Sequence, residues 1–130
     1  MKLWTKEIEK RFARTGSQDG KGFDARCVVK YFDPTGSWTL FCTEASGRYA
    51  AGDFLLGGGV FPPEGQELQD IILFGYVTGL GFPEWGYSSL AEIKATKGML
   101  GLGMERDLYL DENATVRAAM EAIGQEVPCD

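Results

Sequence analysis

Arg26 to Thr43 reads RCVVKYFDPTGSWTLFCT. Two β-branched and aromatic runs, Arg26 to Phe32 and Ser37 to Thr43, flank Asp33-Pro34-Thr35-Gly36, and such runs bounded by turn residues predict a β-hairpin. Two clues to its register conflict. Proline at the first loop position and glycine at the third predict a type I turn with a glycine bulge, setting Cys27 across from Thr43. If Asp33 pairs with Gly36 instead, then Cys27, Val29, Tyr31, Trp38, Leu40 and Cys42 form one apolar face that a single-residue slip would split. Burial favours this second register, which places Cys27 opposite Cys42. In a reducing cytoplasm that pair is expected as two buried thiols.

Upstream of the hairpin, Thr5 caps a predicted helix running to about Arg14. Trp4, Ile8 and Phe12 recur at i+4 on one face, and Gly16 is the stop. Glu7 and Arg11 form a favourably oriented ion pair on it. Gly16 to Asp24 is glycine-rich but lacks the strand and Lys-Ser/Thr context of a phosphate-binding loop, and reads as a connector. Downstream, residues 45–69 are rich in Gly, Pro and small residues and read as an insertion. Leu68 to Leu80 predicts a long buried strand with Gly75 as a bulge or close-approach point. Phe82 to Tyr87 reads as a turn-rich aromatic cluster. Leu90 to Lys97 is a predicted helix capped by Ser89, with Glu92 at the capping-box position and Gly98 as its end. Arg106 to Leu110 alternates as a strand after Glu105. Asn113 to Ile123 is a third helix with Val116, Met120 and Ile123 on one face, and residues 124–130 are expected to fray. These elements predict one α+β domain over residues 1–130: an antiparallel sheet of four to five strands with three helices packed on it.

The 130 residues are 44% hydrophobic and 25% charged, which fits a folded domain and excludes disordered, collagenous and disulfide-dense classes. No uncharged run is long enough to span a bilayer, and Glu7 and Glu9 stand where a signal peptide needs an apolar core, so a cytoplasmic protein is expected. There is no histidine, and the three cysteines show no CxxC spacing. Zinc sites and Ser/His/Asp chemistry are thereby disfavoured, and no metal or cofactor is implied. The net charge of −6 is unevenly spread. Residues 1–30 carry eight Lys/Arg against four Asp/Glu, residues 31–104 three against eight, and residues 105–130 two against seven. An acidic surface repels a phosphate backbone but suits a basic partner; it also simply serves solubility.

Several surfaces stand out as candidates. Lys6, Lys10 and Arg14 form a stripe that can touch phosphate or remain a solvated helix face. Glu84, Trp85 and Tyr87 either pack over the sheet or present a binding surface. Glu105, Arg106 and Asp107 form either an internal ion-pair network or a polar site beside Glu84 and Trp85. Arg106, between two carboxylates, is the candidate for a bidentate contact. Asp111 and Glu112 extend the acidic C-terminal part. No catalytic residue is assigned.

Taken in order, Leu3-Trp4-Thr5-Lys6-Glu7, Gly16-Ser17-Gln18, Phe32-Asp33-Pro34 with Trp38-Thr39, Thr43-Glu44, Phe74-Gly75-Tyr76-Val77, Gly86-Tyr87-Ser88-Ser89-Leu90 and Gly101-Leu102 with Glu105 to Tyr109 form a chain of motifs. This set resembles an uncharacterised bacterial family, domain of unknown function 2958, over Met1 to Glu44 and about Leu73 to Leu110. The resemblance implies a mobile-element context with no established activity. It draws attention to Gly16, Ser17, Gln18, Trp38, Glu44, Gly86, Tyr87, Glu105, Arg106 and Asp107. With the charge asymmetry, it leads to an expected non-enzymatic phage or plasmid protein. Its expected partner is the basic surface of a host nucleic-acid-binding defence complex, which it inhibits in the anti-CRISPR or antirestriction manner. The alternatives are a nucleic-acid-associated accessory protein of plasmid maintenance or transfer, acting through Lys6, Lys10 and Arg14, and a small enzyme with a cryptic site around Glu84, Tyr87, Glu105, Arg106 and Asp107.

Overall fold

The chain forms α1 (Lys6–Thr15), a 3-10 turn (Gly22–Asp24), β1 (Val29–Phe32), β2 (Thr39–Tyr49), β3 (Gly52–Leu55), β4 (Asp70–Thr78), β5 (Glu84–Ser89), α2 (Leu90–Ala95), β6 (Glu105–Arg106) and α3 (Val116–Ala122). This computed structural model describes residues 1–129. The fold is α+β, as expected, with all six strands in one antiparallel sheet of order β5-β4-β2-β1-β6 and β3 beside the far half of β2. The sheet is thus slightly larger than the four to five strands anticipated.

Local sequence accounts for the helices. In α1, the Thr5 hydroxyl accepts the Ile8 N–H at 3.2 Å, and Gly16, at φ +62°, returns its own N–H to the Phe12 carbonyl. A left-handed residue closing a helix costs glycine least. Trp4 stacks on Phe12, and Ile8 and Phe12 are buried. Ser89 caps α2 by accepting the Glu92 N–H. That helix ends at Ala95, short of the expected Lys97, because Lys97 bridges to Gly103 instead. α3 begins only at Val116, since Asp111 to Ala114 closes a turn of its own and Thr115 is the cap. Ile123 lies outside its buried face, at 45% exposure.

The central hairpin adopts neither expected register. Val29 pairs with Cys42 and Tyr31 with Leu40, and the Asp33 N–H reaches the Trp38 carbonyl, so the connection is the four residues Pro34 to Ser37. Asp33 is the reason. Its carboxylate accepts both the Thr35 N–H and hydroxyl at 2.8 Å while its carbonyl accepts the Gly36 N–H, an Asx-turn that needs Ser37 to bring the chain back. The shift from the burial-based register is two residues, which preserves faces: Val29, Tyr31, Leu40 and Cys42 share one core cluster, with Trp38 against it. Cys27 departs from that face, because it precedes β1 and bonds to the Ala114 carbonyl. Both thiols are buried and free; burial pushes Cys27 up to about 12 and Cys42 well above the ordinary thiol value.

The sheet is covered on both faces. α1 and α2 close one, over Val29, Leu40, Cys42, Ala45, Ile71 and Leu73. α3 and the 3-10 turn close the other, where Phe23, Phe41 and Tyr76 meet Val116, Ala119 and Met120. Three sequence expectations change in the sheet itself. β2 runs on to Tyr49, so the stretch 45–69 opens inside the sheet and then folds back as β3. The aromatic segment before α2 is not a turn but β5, because Trp85 and Tyr87 find cross-strand aromatic partners in Tyr76 and Phe74. β6 has two residues rather than continuing to Leu110. There the Asp107 carboxylate accepts the Tyr109 N–H and turns the chain away, leaving Leu108 and Tyr109 exposed. After Gly124, Gln125 donates to the Thr78 hydroxyl and Val127 packs on the α3-side core; Asp130 lies outside the described residues. Among the described residues no helix is long and apolar enough to cross a membrane.

Candidate functional site

The sheet order separates residues that the sequence suggested grouping. β5 and β6 are opposite edges, so Glu84, Trp85 and Tyr87 lie at one side of the molecule and Glu105, Arg106 and Asp107 at the other. The three consecutive charges do not pair among themselves either. Asp107 instead pairs with Lys30 at 3.5 Å, the side chains 23% and 9% exposed. Arg106 makes no ion pair among the described residues, and its Nε is buried without a hydrogen-bond partner. Asp111 and Glu112 are exposed; Asp111 holds the Asn113 N–H, and Glu112 lies 3.9 Å from Arg11. Lys6 and Lys10 are exposed and unpaired among the described residues, whereas Arg14 meets Glu7 at 3.5 Å. Arg14 gathers with Arg11 and Arg26 around a small cleft of about 210 Å³.

A better-built site lies on the α3-side face, and a β-bulge makes it. Leu40 and Cys42 point into the α1-side core, and simple alternation would send Glu44 there too. The β2–β4 register shifts between Cys42 and Glu44, so Thr43 is the extra residue and Glu44 comes out on the opposite face, paired with Phe74. Bulges re-aim side chains in this way. Gly75, which pairs with Cys42, permits it: an added Cβ would collide with the Phe41 carbonyl and the Cys42 Cα. The Thr43 carbonyl is taken by the Gln18 side chain at 2.8 Å. The same buried amide donates to the Arg26 carbonyl at 2.8 Å and accepts the Arg26 N–H at 2.7 Å. Gln18 therefore locks the 17–22 loop onto the bulge.

The result is a row across three strands, Glu44–Phe74–Tyr87, with Trp85 beside it. Phe74 stacks on Trp85 (5.9 Å between centroids, 15° between planes) and meets Tyr87 at 4.9 Å. Tyr87 is 76% exposed, so one side of this wall is open. Glu44 Oε2 accepts the Gln18 N–H at 2.6 Å and the Ser17 hydroxyl at 3.5 Å; Oε1 has no partner among the described residues. Ser17, Gln18 and Asp19 form the facing side of a cleft of about 480 Å³ whose lining holds two carboxylates, Asp19 and Glu44, and no lysine or arginine. Glu84 alternates to the other face of β5 and does not line the cleft. Among the described residues no three His, Cys, Asp or Glu side chains are grouped to hold a metal ion.

Of the cleft residues, Trp85 and Tyr87 were singled out from sequence as a binding candidate, and Ser17, Gln18 and Glu44 through the resemblance. The sequence alone does not mark Phe74 as a site residue, and Gly16 to Asp24 reads there only as a connector. The available signal was the slip in alternation from Leu40 and Cys42 to Ala45 and Gly47, which marks an extra residue between them.

No curated protein and no solved structure matches the chain. A family model does match residues 63–125, and it is described as "Protein of unknown function (DUF2958)". The match takes in residues 63–72 and 111–125, which lie outside the stretches that carry the resemblance, and it includes the aromatic wall but not Ser17, Gln18 or Glu44. Over β4, β5, α2, β6 and α3, the chain resembles this family of unknown function.

Proposed function

We propose that this is a cytoplasmic, non-enzymatic binding protein of a mobile genetic element. It docks on the basic, nucleic-acid-binding surface of a host defence complex of the CRISPR or restriction kind and blocks it. One observation carries the reading: the bulge delivers a half-buried carboxylate beside an open aromatic wall, in a cleft with no basic side chain of its own. Cationic side chains are attracted by carboxylates and by aromatic faces together, and complementary potentials speed and select such docking. The net charge of −6 works in the same direction. The test is transformation of a bacterial strain carrying an active defence system with a plasmid that the system attacks. Expression of the protein should raise the yield, and Glu44→Gln and Tyr87→Ala should remove most of the gain. No gain against any restriction or RNA-guided system would overturn the reading.

A second reading rests on Arg11, Arg14 and Arg26 around their shared cleft: a nucleic-acid-associated accessory protein. It predicts salt-sensitive DNA or RNA binding that weakens when these arginines are neutralised, with Glu44→Gln neutral.

A further inference from the structure

We propose that the cleft is an arginine receptor, taking the guanidinium of an exposed arginine on the partner protein between Glu44 Oε1 and the Phe74–Tyr87 wall. This rests on the proposed reading of the cleft as the docking site for a basic partner, and it states which side chain is read. The carboxylate is prepared for such a contact. Oε2 is held by the Gln18 N–H and Ser17 hydroxyl, which fixes the group, and Oε1 is left over as an acceptor. The wall is prepared as well. Phe74 is braced by near-parallel stacking on Trp85 and Tyr87 leans against it with its outer side in solvent. Glu44 and Phe74 are cross-strand neighbours, about 4.8 Å apart across the sheet. A planar group can therefore lie along the ring and point an in-plane N–H at the carboxylate in one pose.

Guanidinium suits that pose better than ammonium does. It is flat, weakly hydrated, and donates in its own plane while its faces stack, whereas an ammonium must shed tightly held water to touch an aromatic face. A nucleobase could stack equally well, but its phosphates would have to approach two carboxylates with no basic residue in the lining to receive them. The cleft, at about 480 Å³, is within the range of ligand sites and holds an arginine side chain with its adjoining backbone.

Three blocked peptides, identical except for a central arginine, lysine or citrulline between glycines and serines, are titrated into the isotope-labelled full chain and followed by NMR. The arginine peptide should bind about fivefold more tightly than the lysine peptide, from the better stacking, and the citrulline peptide should not saturate. The shifted signals should be the Gln18, Glu44 and Tyr87 amides and the Trp85 indole. Glu44→Gln should weaken arginine binding roughly tenfold, as expected for a lost charge-assisted hydrogen bond. Glu44→Gln should stay folded, because glutamine keeps an oxygen for the Gln18 N–H. Equal affinity for arginine and lysine, shifts confined to other surfaces, or no binding of any peptide would overturn the arginine assignment. Rescue of the attacked plasmid would still stand or fall by itself, so failure here is distinguishable from failure of the proposed function.

Discussion

The two sides of the sheet handle charge in opposite ways. At the β6 edge, Asp107 and Lys30 neutralise each other, with the lysine nine-tenths buried and its ammonium 5.8 and 5.9 Å from the Phe32 and Phe41 rings. At the β5 side, Glu44 meets no cation; it is held by an amide and a hydroxyl and keeps one oxygen free. A carboxylate already paired with a buried ammonium serves folding. One held half-buried without a cation is costly to keep, and it is kept here by a bulge, a glycine and a buried glutamine. The difference is why the proposed docking is placed on the β5 side.

The largest effects should come from dismantling the bulge. Gly75→Ala sets a Cβ against the Phe41 carbonyl and the Cys42 Cα, backbone that cannot swing away, and should destabilise the protein by about 3 kcal/mol in urea unfolding. Gln18→Ala strips partners from the Arg26 N–H and from the Arg26 and Thr43 carbonyls; about 2 kcal/mol is expected, since a buried polar group left unpaired costs about 1–3 kcal/mol. Surviving Gln18→Ala protein should also lose arginine-peptide binding, because the loop that fixes Glu44 is released. A variant with normal stability would show that the bulge does not depend on this amide.

Much of the fold was legible, and the parts that were not share a cause. Thr5, Gly16 and Ser89 announce caps through local chemistry, and the α1 stripe Trp4, Ile8 and Phe12 is a local period, so these helices could be read directly. The register was hidden because Asp33 competes with the ladder through its side chain, and neither loop statistics nor burial parity contains that term. β5 was hidden because its aromatic pairs lie across the sheet, on β4, not along the chain. The site was half visible. The motifs of the resemblance named Ser17, Gln18, Glu44 and Tyr87, but only the bulge shows that they meet, and only strand order shows that Glu105, Arg106 and Asp107 do not join them.

Breaking the other edge should cost less and leave the cleft intact. Asp107→Ala abandons the Lys30 ammonium against its aromatic neighbours. Removing one partner of a fully buried pair costs about 3–5 kcal/mol, and the partial exposure of Asp107 lowers the expectation to about 1–2 kcal/mol. Lys30→Met added to Asp107→Ala should restore most of that loss. Peptide binding at the cleft should be unchanged in both variants, and a tenfold loss would show that the two edges are coupled.

The smallest effect separates the edges by pH. Asp70 stands where β4 begins, and its carboxylate accepts the Ile71 and Ala91 N–H groups and the Ser89 hydroxyl, tying β4 to the β5–α2 junction. Burial opposes its ionisation, but the hydrogen bonds from Ser89, Ile71 and Ala91, with the nearby Arg48, outweigh it and hold the carboxyl below its ordinary value. A carboxyl with a lower pKa folded than unfolded stabilises the fold fully above the unfolded value of about 3.9, and that contribution fades as the pH falls through the folded value. Protection of the β5 and α2 amides, measured against their intrinsic exchange rates, should therefore fall below about pH 4. In Asp70→Asn the protection should already be lower at neutral pH and vary less with acid, because the group that titrates is gone. If wild type and Asp70→Asn lose protection in parallel as the pH falls, Asp70 is not what makes this junction acid-sensitive. The acid response must then come from other carboxylates that the two proteins share.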